Sequence, residues 1–433
     1  TGLFQLALGL ARMGVLVNFI SHTVVIGFTA GAALLIAGSQ IKNFFGLDIP
    51  RGTPFFEILG LFVQRAGDIN PYVLAISLTT LIVGILTKRF MPKLPYMIVA
   101  LVAGSLLAAA VNNYVGLETT HIGTVGALSS GLPPFTLPDF SLRSVSQMLF
   151  PALIITMLAL TEAVSISRSI AARSGQQIDG NQEFIGQGLS NLVGAFFSGY
   201  ASSGSFNRSG VNYAAGAQTP LAAVYASFFL VLILLLVAPL AAYLPTAAMA
   251  GILFLVAWGL IDFHHIQQLH RISRQETVVL WVTLVGTLFD LEKGIFLGVA
   301  LSLALYLYRT SRPTLEAVVP DSDTDSYHYV AANSRPECPQ IKMMRLNGSI
   351  FFGAVSHLQQ QVQELSEKSP KHKHLVLMAS GINFIDLAGA EFLGETAKHY
   401  ASAGGSFGLY RMKENVAASL RNGGFMDAIG EEN

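Results

Sequence analysis

The chain has 433 residues, of which 52% are apolar and only 12% are charged. A typical soluble domain carries about 25% charged residues, so the composition favours a membrane protein. The formal net charge is zero and no basic tract is visible, which argues against a nucleic-acid partner, and the single cysteine, Cys338, excludes an intrachain disulfide.

The first part of the chain alternates apolar stretches with polar connections. Residues 3–20, 23–40, 71–87 and 94–115 are predicted spans, and residues 42–70 are predicted to form a loop. Lys88, Arg89 and Lys93 form the densest short basic cluster, and the positive-inside rule places it in the cytoplasm. The chain begins within an apolar stretch without an initiator Met, so we expect residues upstream of Thr1.

The later apolar stretches follow a polar loop at residues 116–143, which is expected on the opposite face. Predicted spans cover residues 149–165, 221–243, 246–261, 277–289 and 295–308, and a shorter apolar stretch covers 187–198. This alternation returns the basic loop 264–274 and Arg309 to the side of Lys88. HTVVIGFTAGAALLIA from His22 resembles PTAAMAGILFLVAW from Pro245, an internal echo of the kind found in inverted-repeat transporters.

The segment 199–220, GYASSGSFNRSGVNYAAGAQTP, differs from the apolar stretches on either side of it. It holds four glycines, four serines and Arg208, and no Asp, Glu, Lys or Arg follows Arg208 until Asp262. Small polar residues at membrane depth are tolerated only where they face protein or a water-filled cavity. A short helix with an open amino end offers N–H groups and partial positive charge to an anion. A guanidinium beside that end favours an oxyanion, so the sequence predicts an anion site here.

The candidate anion-binding residues are Arg208 and its neighbours Ser205, Phe206, Asn207 and Ser209. The alternative for Arg208 is an arginine that extends to the membrane interface. Its small polar neighbours favour a cavity instead, because a charge inside a membrane is a functional hypothesis by default. Phe206 has packing as its alternative role.

Glu162 is the second candidate, because an ionised carboxylate within a membrane helix needs a partner, water or a proton. One interpretation is a structural ion pair with a basic side chain such as Arg208. The other is a proton carrier. The two are compatible: protonating Glu162 would free Arg208 to hold an anion and would couple proton and anion movement.

After Pro313 the composition changes to that of a soluble domain. We predict a membrane transport domain at residues 1–312, a polar linker at 313–327 and a small cytosolic α/β domain at 328–433. Strands are predicted at 341–346, 350–352, 374–379 and 406–410, and helices at 356–367 and 388–401.

Four segments resemble the SulP anion permeases, the sulfate permease family related to prestin and pendrin. They are GLARMGVLVNFISHTVVIGFTAGAALLIAGSQIKNFFGL, ALTEAVSISRSIAARSGQQIDGNQEFIGQGLSNLVGAFFSGY, GSFNRSGVNYAAGAQTPLA and, in the STAS domain, VLMASGINFIDLAGAEFL. The resemblance implies an all-α membrane domain of two inverted seven-element repeats, the first incomplete here, and a homodimer. It also implies an anion held between the third and tenth elements, with Thr1 near the fourth.

The resemblance also bears on the site residues. Asn207 stands where plant sulfate permeases have Ser. An acidic residue at the position of Glu162 coordinates sodium in bicarbonate carriers or takes a proton in sulfate carriers. The sodium type has a hydroxyl where this chain has Ile166, although Ser165 lies on nearly the same face, so protons are favoured. The residues just after Asp386 are Leu387 and Ala388, so serine phosphorylation directly after this aspartate is excluded. Asp386 itself is expected at a helix N-terminus.

The predicted function is secondary active transport of a small inorganic oxyanion by alternating access, with proton-coupled sulfate uptake as the first choice. Bicarbonate or dicarboxylate transport, with sodium as the coupling ion, and a membrane sensor with STAS output are the alternatives. An enzyme is not expected, since no nucleophile–base pair, metal set or nucleotide loop is present, and no cofactor is implied. The chain is expected in the inner or plasma membrane with its C-terminal domain in the cytoplasm.

Overall fold

The computed structural model describes residues 1–14, 21–50, 52–92, 94–126, 132–321, 328–332, 335–368 and 372–430. Two compact units are present, Thr1–Ser302 and Leu303–Asn433. The first is helical and the second contains a sheet.

The described helices of the first unit, in chain order, are α1 (Gly2–Leu10), α2 (His22–Phe45), α3 (Phe55–Gln64), α4 (Pro71–Phe90), α5 (Tyr96–Val115), α6 (Leu117–Thr120), α7 (Leu142–Ser174), α8 (Gly180–Ala195), α9 (Phe206–Ala214), α10 (Leu221–Ala241), α11 (Thr246–Leu260), α12 (Phe263–Ile272) and α13 (Arg274–Phe289). Helix α14 (Leu291–Thr310) begins in this unit and ends in the second. Five described helical stretches are long and apolar enough to cross a membrane: His22–Phe45, Pro71–Phe90, Tyr96–Val115, Leu142–Arg168 and Thr246–Ile272.

The prediction of loops at residues 42–70 and 264–274 is wrong in part, because each contains a helix. Helix α3 follows Pro54 and is only ten residues long, so it is too short to give a span signal. Helix α12 is amphipathic, and Asp262 is its N-cap: the Asp262 side chain accepts a hydrogen bond from the His265 backbone N–H at 3.0 Å. Its histidines and arginine made the stretch look like a polar loop, so the apolar residues at helical spacing were not recognised in the sequence.

Small residues set the helix packing of the first unit. Helix α2 contacts α11 and α13, and α1 contacts α7 and α8. Gly27 and Gly31 lie one turn apart on α2, and both face α13. A Cβ on Gly27 would lie 2.6 Å from the Leu280 carbonyl oxygen, and a Cβ on Gly31 would lie 2.8 Å from Thr287 Cβ. This close approach replaces the hydrophobic driving force that is missing between helices in lipid. The two stretches of the internal echo, on α2 and α11, therefore pack against each other.

The second unit is a five-stranded sheet with helices. Its strands are β1 (Thr314–Pro320), β2 (Tyr329–Ala331), β3 (Ile341–Asn347), β4 (His374–Met378) and β5 (Ser406–Tyr410), in the spatial order β2-β1-β3-β4-β5. β3, β4 and β5 run parallel, and β1 is antiparallel to both β2 and β3. The helices are α15 (Phe352–Lys368), α16 (Leu387–Ser402), α17 (Glu414–Asn422) and α18 (Met426–Ile429).

Two predictions for this unit need correction. Residues 314–320, assigned to the linker 313–327, form β1, which pairs with β3 from Thr314↔Asn347 to Ala317↔Met344. Residues 350–352, predicted as a strand, form only one bridge, Ile350↔Ile385, before α15 begins at Phe352. The rest of the linker, 322–327, lies outside the described residues.

Asp386 joins two helices of the second unit. Its Oδ1 accepts a hydrogen bond from the Gly389 N–H at 2.9 Å and caps α16, which confirms the expected helix N-terminal role. Its Oδ2 accepts a second bond, also 2.9 Å, from the backbone N–H of Phe352 at the start of α15. One carboxylate therefore satisfies amides of two helix termini.

We expect Asp386→Ala to lower the free energy of unfolding of the second unit by about 2 kcal/mol, because two charge-assisted caps are lost together. Hydrogen–deuterium exchange of the purified protein should show both α15 and α16 start peptides exchanging faster. Glu391→Ala, an exposed acid on α16, is the matched control. Faster exchange at α16 alone would contradict the double cap.

Candidate functional site

The segment 199–205, here called the entry segment, leads into the short helix α9. It is not helical, and α9 begins at Phe206. Ser205 is the N-cap, and its Oγ accepts a hydrogen bond from the Arg208 N–H at 3.4 Å. The other first-turn N–H groups of such a helix need partners outside it. The predicted short helix with a polar amino end is therefore present, with Arg208 in its first turn.

Glu162 on α7 contacts this entry segment through Ser203. The Ser203 hydroxyl lies 2.7 Å from Glu162 Oε2 and 3.2 Å from the Ala159 backbone oxygen one turn earlier. A hydroxyl carries one hydrogen, so the carboxylate and the carbonyl compete for it. The shorter distance favours donation to the carboxylate, as expected for a charge-assisted bond.

Gly204 brings the entry segment against α7. A Cβ at this position would meet Ile166 Cδ1 at 2.8 Å and Ala163 Cα at 3.3 Å. The second contact is to backbone, which cannot move aside easily. A side chain here would push the segment off α7 and lengthen the Ser203–Glu162 hydrogen bond.

Two buried amides hold the other side of the entry segment. Asn191 on α8 is 8% exposed, and its Oδ1 accepts hydrogen bonds from Ser202 N at 2.8 Å and Ser202 Oγ at 3.2 Å. Its Nδ2 donates to the Ser202 carbonyl at 3.0 Å and to Oε1 of Gln5 at 2.8 Å. Gln5 on α1 is 0% exposed, and its Nε2 has no hydrogen-bond partner among the described residues. The Gln5–Asn191–Ser202 network thus connects α1 and α8 to the segment.

The remaining predicted residues are less constrained. The Arg208 side chain is exposed, and no hydrogen bond or ion pair joins its guanidinium to a described residue. The enclosed setting expected for it, and an ion pair with Glu162, are therefore not seen. Ser209 is half-buried on α9. The side chains of Phe206 and Asn207 lie outside the described part of the structure.

Ser165 does not fill the place of a free sodium ligand. Its hydroxyl donates to the Thr161 carbonyl at 2.7 Å within α7, as serine commonly does inside a helix. Ile166 is 4% exposed and packs toward Gly204. Within the described residues, no group of three or more His, Cys, Asp and Glu side chains is arranged to hold a metal ion.

Sequence reasoning missed Gln5, Asn191 and Ser203. Ser203 was present in the serine-rich run but was not distinguished from its neighbours, since only the fold shows which serine faces α7. Gln5 and Asn191 are amides within otherwise apolar stretches. A polar side chain in such a setting is a signal of function or of a hydrogen-bonded contact between helices.

We expect Gln5→Leu and Asn191→Leu to be coupled in a double-mutant cycle. Each single change leaves buried polar groups unsatisfied, at a cost of about 1–3 kcal/mol, while the double change removes both sides of the amide–amide bond. Thermal unfolding in detergent should therefore show a double variant less destabilised than the sum of the singles. Gln5→Leu paired with the remote Glu118→Gln is the control and should be additive.

Comparison with known proteins gives a consistent family. Residues 1–283 match the Sulfate permease family and residues 330–432 match the STAS domain. The chain is 28% identical over 434 residues to the putative sulfate transporter YvdB of Bacillus subtilis, covering 100% of this chain and 79% of that protein.

Two solved structures share the fold. The structure of murine Slc26a9, described as an anion transporter in the inward-facing state, superposes with a TM-score of 0.86 at 22% identity, covering 100% of this chain and 71% of that chain. The transmembrane domain of the cyanobacterial bicarbonate transporter BicA gives 0.58 at 26% identity, covering 70% of this chain and 74% of that chain.

The family is one of anion transporters rather than enzymes, and its apolar helices belong in a membrane. The predicted helical membrane domain with a small α/β STAS domain is confirmed. This chain is a member of the sulfate permease family and carries a C-terminal STAS domain.

Proposed function

We propose that the chain functions in proton-coupled transport of a small inorganic oxyanion, sulfate first, by alternating access. The observation that carries this proposal is the contact between Glu162 and the entry segment of α9, with Ser203 Oγ 2.7 Å from the carboxylate. An acid that a proton can neutralise is thereby bonded to the segment that leads into the predicted anion site. The proton-binding contact at Ser203 and the proposed anion-binding residues 205–209 therefore lie within one short segment.

The physical link is the competition for the Ser203 hydrogen. When Glu162 is ionised, it accepts this hydrogen and holds the segment against α7. When Glu162 is protonated, its own hydrogen can be donated to Ser203, and the serine hydrogen turns to the Ala159 carbonyl 3.2 Å away. A single proton therefore reverses the direction of the hydrogen bond at the start of α9.

The anion is proposed to bind at the amino end of α9 with Arg208, Ser205, Asn207, Phe206 and Ser209 around it. The helix end supplies N–H groups and partial positive charge, and Arg208 supplies a full charge with no acidic partner among the described residues. An exposed guanidinium at this end leaves its donors available to an oxyanion.

The assembly is proposed to be a homodimer in the inner or plasma membrane with the STAS domain in the cytoplasm. The basic residues at the end of α4, on α12 and at Arg309 support this orientation through the positive-inside rule. A bicarbonate substrate is the second candidate, because BicA shares the membrane fold. A sodium requirement for uptake would favour it over protons.

We expect Arg208→Ala to reduce sulfate uptake into proteoliposomes roughly tenfold to hundredfold, because hydrogen bonds to a charged group contribute about 1.5–3 kcal/mol. Arg271→Ala, an exposed arginine on α12, is the matched control. The uptake assay uses radiolabelled sulfate with the protein amount and oligomeric state checked by size exclusion. Unchanged uptake in a folded Arg208 variant would remove the proposed site.

We expect Glu162→Gln to abolish stimulation of uptake by an inward proton gradient, because an amide cannot take up the coupled proton. Anion exchange without a gradient should continue. Glu57→Gln, an exposed acid on α3, serves as the control and should keep the stimulation. Proton-driven accumulation that persists in Glu162→Gln would show that Glu162 is structural.

A further inference from the structure

A groove on the first unit lies apart from the proposed anion site. It runs between α4 and α11 and has a volume of about 450 Å³. This lies within the range of about 300–1,000 Å³ that is typical of ligand sites. Its walls are apolar along most of their length, and Lys88 and Arg89 line it together with Trp258.

The lining of α4 follows one helical face. Leu81, Ile85 and Lys88 are spaced at helical intervals, so the apolar side chains and the ammonium group share one side of α4. Lys88 is about 10 Å along the helix axis from Leu81, given a rise of about 1.5 Å per residue. The groove is therefore apolar at one end and cationic at the other.

The two cations have no acidic partner within the described part of the chain. Both are exposed in the last turn of α4, and Lys88 Nζ lies 5.5 Å from the centre of the Tyr96 ring. The helix C-terminus accounts for part of this placement, since cations are favoured there. It does not account for an adjoining apolar groove of this volume.

Trp258 forms a wall of the groove at the same level. It is 67% exposed, and no hydrogen bond joins its indole N–H to a described residue. Tryptophan is enriched at the level of lipid headgroups because its ring is apolar and its N–H needs a polar partner. Apolar walls, paired cations and an indole donor at one end match a molecule with an acyl chain and a negative headgroup.

We propose that the groove between α4 and α11 binds an anionic phospholipid, with an acyl chain along Leu81, Ile85 and Phe254 and the phosphate between Lys88 and Arg89. Basic pockets between membrane helices take such headgroups by charge complementarity. Bound lipid would join α4 to α11 at one membrane surface. The site is independent of the proposed anion site and of the transported substrate.

Trp258 provides a local reporter, because the chain has only two tryptophans. In Trp281→Phe, the remaining fluorescence arises from Trp258. We expect phosphatidylglycerol brominated on its acyl chains to quench it more strongly than brominated phosphatidylcholine at equal mole fraction. Each basic residue near a membrane surface contributes roughly fivefold to association with acidic lipid, so Lys88→Gln with Arg89→Gln should lower the preference roughly 25-fold.

Two controls separate a site from general surface attraction. Arg143→Gln, an exposed cation at the start of α7, should leave the preference intact. In Trp258→Phe, Trp281 on α13 is the remaining reporter. The Lys88→Gln and Arg89→Gln changes should then not lower the preference of its quenching for brominated phosphatidylglycerol. Equal quenching by the two lipids at Trp258, or a preference that survives the double change, would overturn the proposal.

A third arm distinguishes the lipid from a free anion. Inorganic phosphate added to the Trp281→Phe protein should not displace brominated phosphatidylglycerol, because it fills no apolar part of the groove. Full displacement by millimolar phosphate would indicate a headgroup-only anion site and would overturn the lipid assignment.

Discussion

The structure of the first unit depends on satisfying the backbone of a segment that is not helical. Residues 199–205 form a non-helical connection between α8 and α9. Backbone N–H and carbonyl groups in such a connection cannot be left unpaired in apolar surroundings. The Asn191 side chain forms hydrogen bonds with both the N–H and the carbonyl of Ser202, and a hydrogen bond to Gln5 orients Asn191. On the other side of the segment, Glu162 accepts a hydrogen bond from the Ser203 hydroxyl. Helices α1, α7 and α8 therefore each contribute a side chain to the hydrogen bonds that hold this non-helical segment.

Much of the fold could be predicted from the sequence, because lipid imposes long apolar helices. The predicted spans at 23–40, 71–87 and 94–115 correspond to α2, α4 and α5 with ends shifted by a few residues. Errors fell where a helix is short or amphipathic, as in α3 and α12, and at the predicted span 3–20, where α1 ends at Leu10. The strand β1 was missed because acidic residues just after it gave the whole stretch the composition of a linker.

The candidate site was predicted by residue type but not by contact. Glu162 and the serine-rich run were identified separately, since each is unusual in an apolar environment. Which serine meets the carboxylate depends on Gly204, whose missing side chain lets the backbone lie against Ala163. The proposed pairing of Glu162 with Arg208 followed from charge alone, and charge does not specify the direction in which a side chain leaves its helix. The exposed Arg208 illustrates that limit.

Asp386 gives the STAS domain a mechanical property. Its two carboxylate oxygens accept hydrogen bonds from the first turns of α15 and α16, and strand β4 lies between these two helices in the sequence. A displacement of either helix start pulls on the same carboxylate, so the two helices tilt together or the cap breaks. The exposed Phe352, Phe384 and Leu387 surround this point. These apolar side chains therefore lie beside the one contact that links the two helix starts.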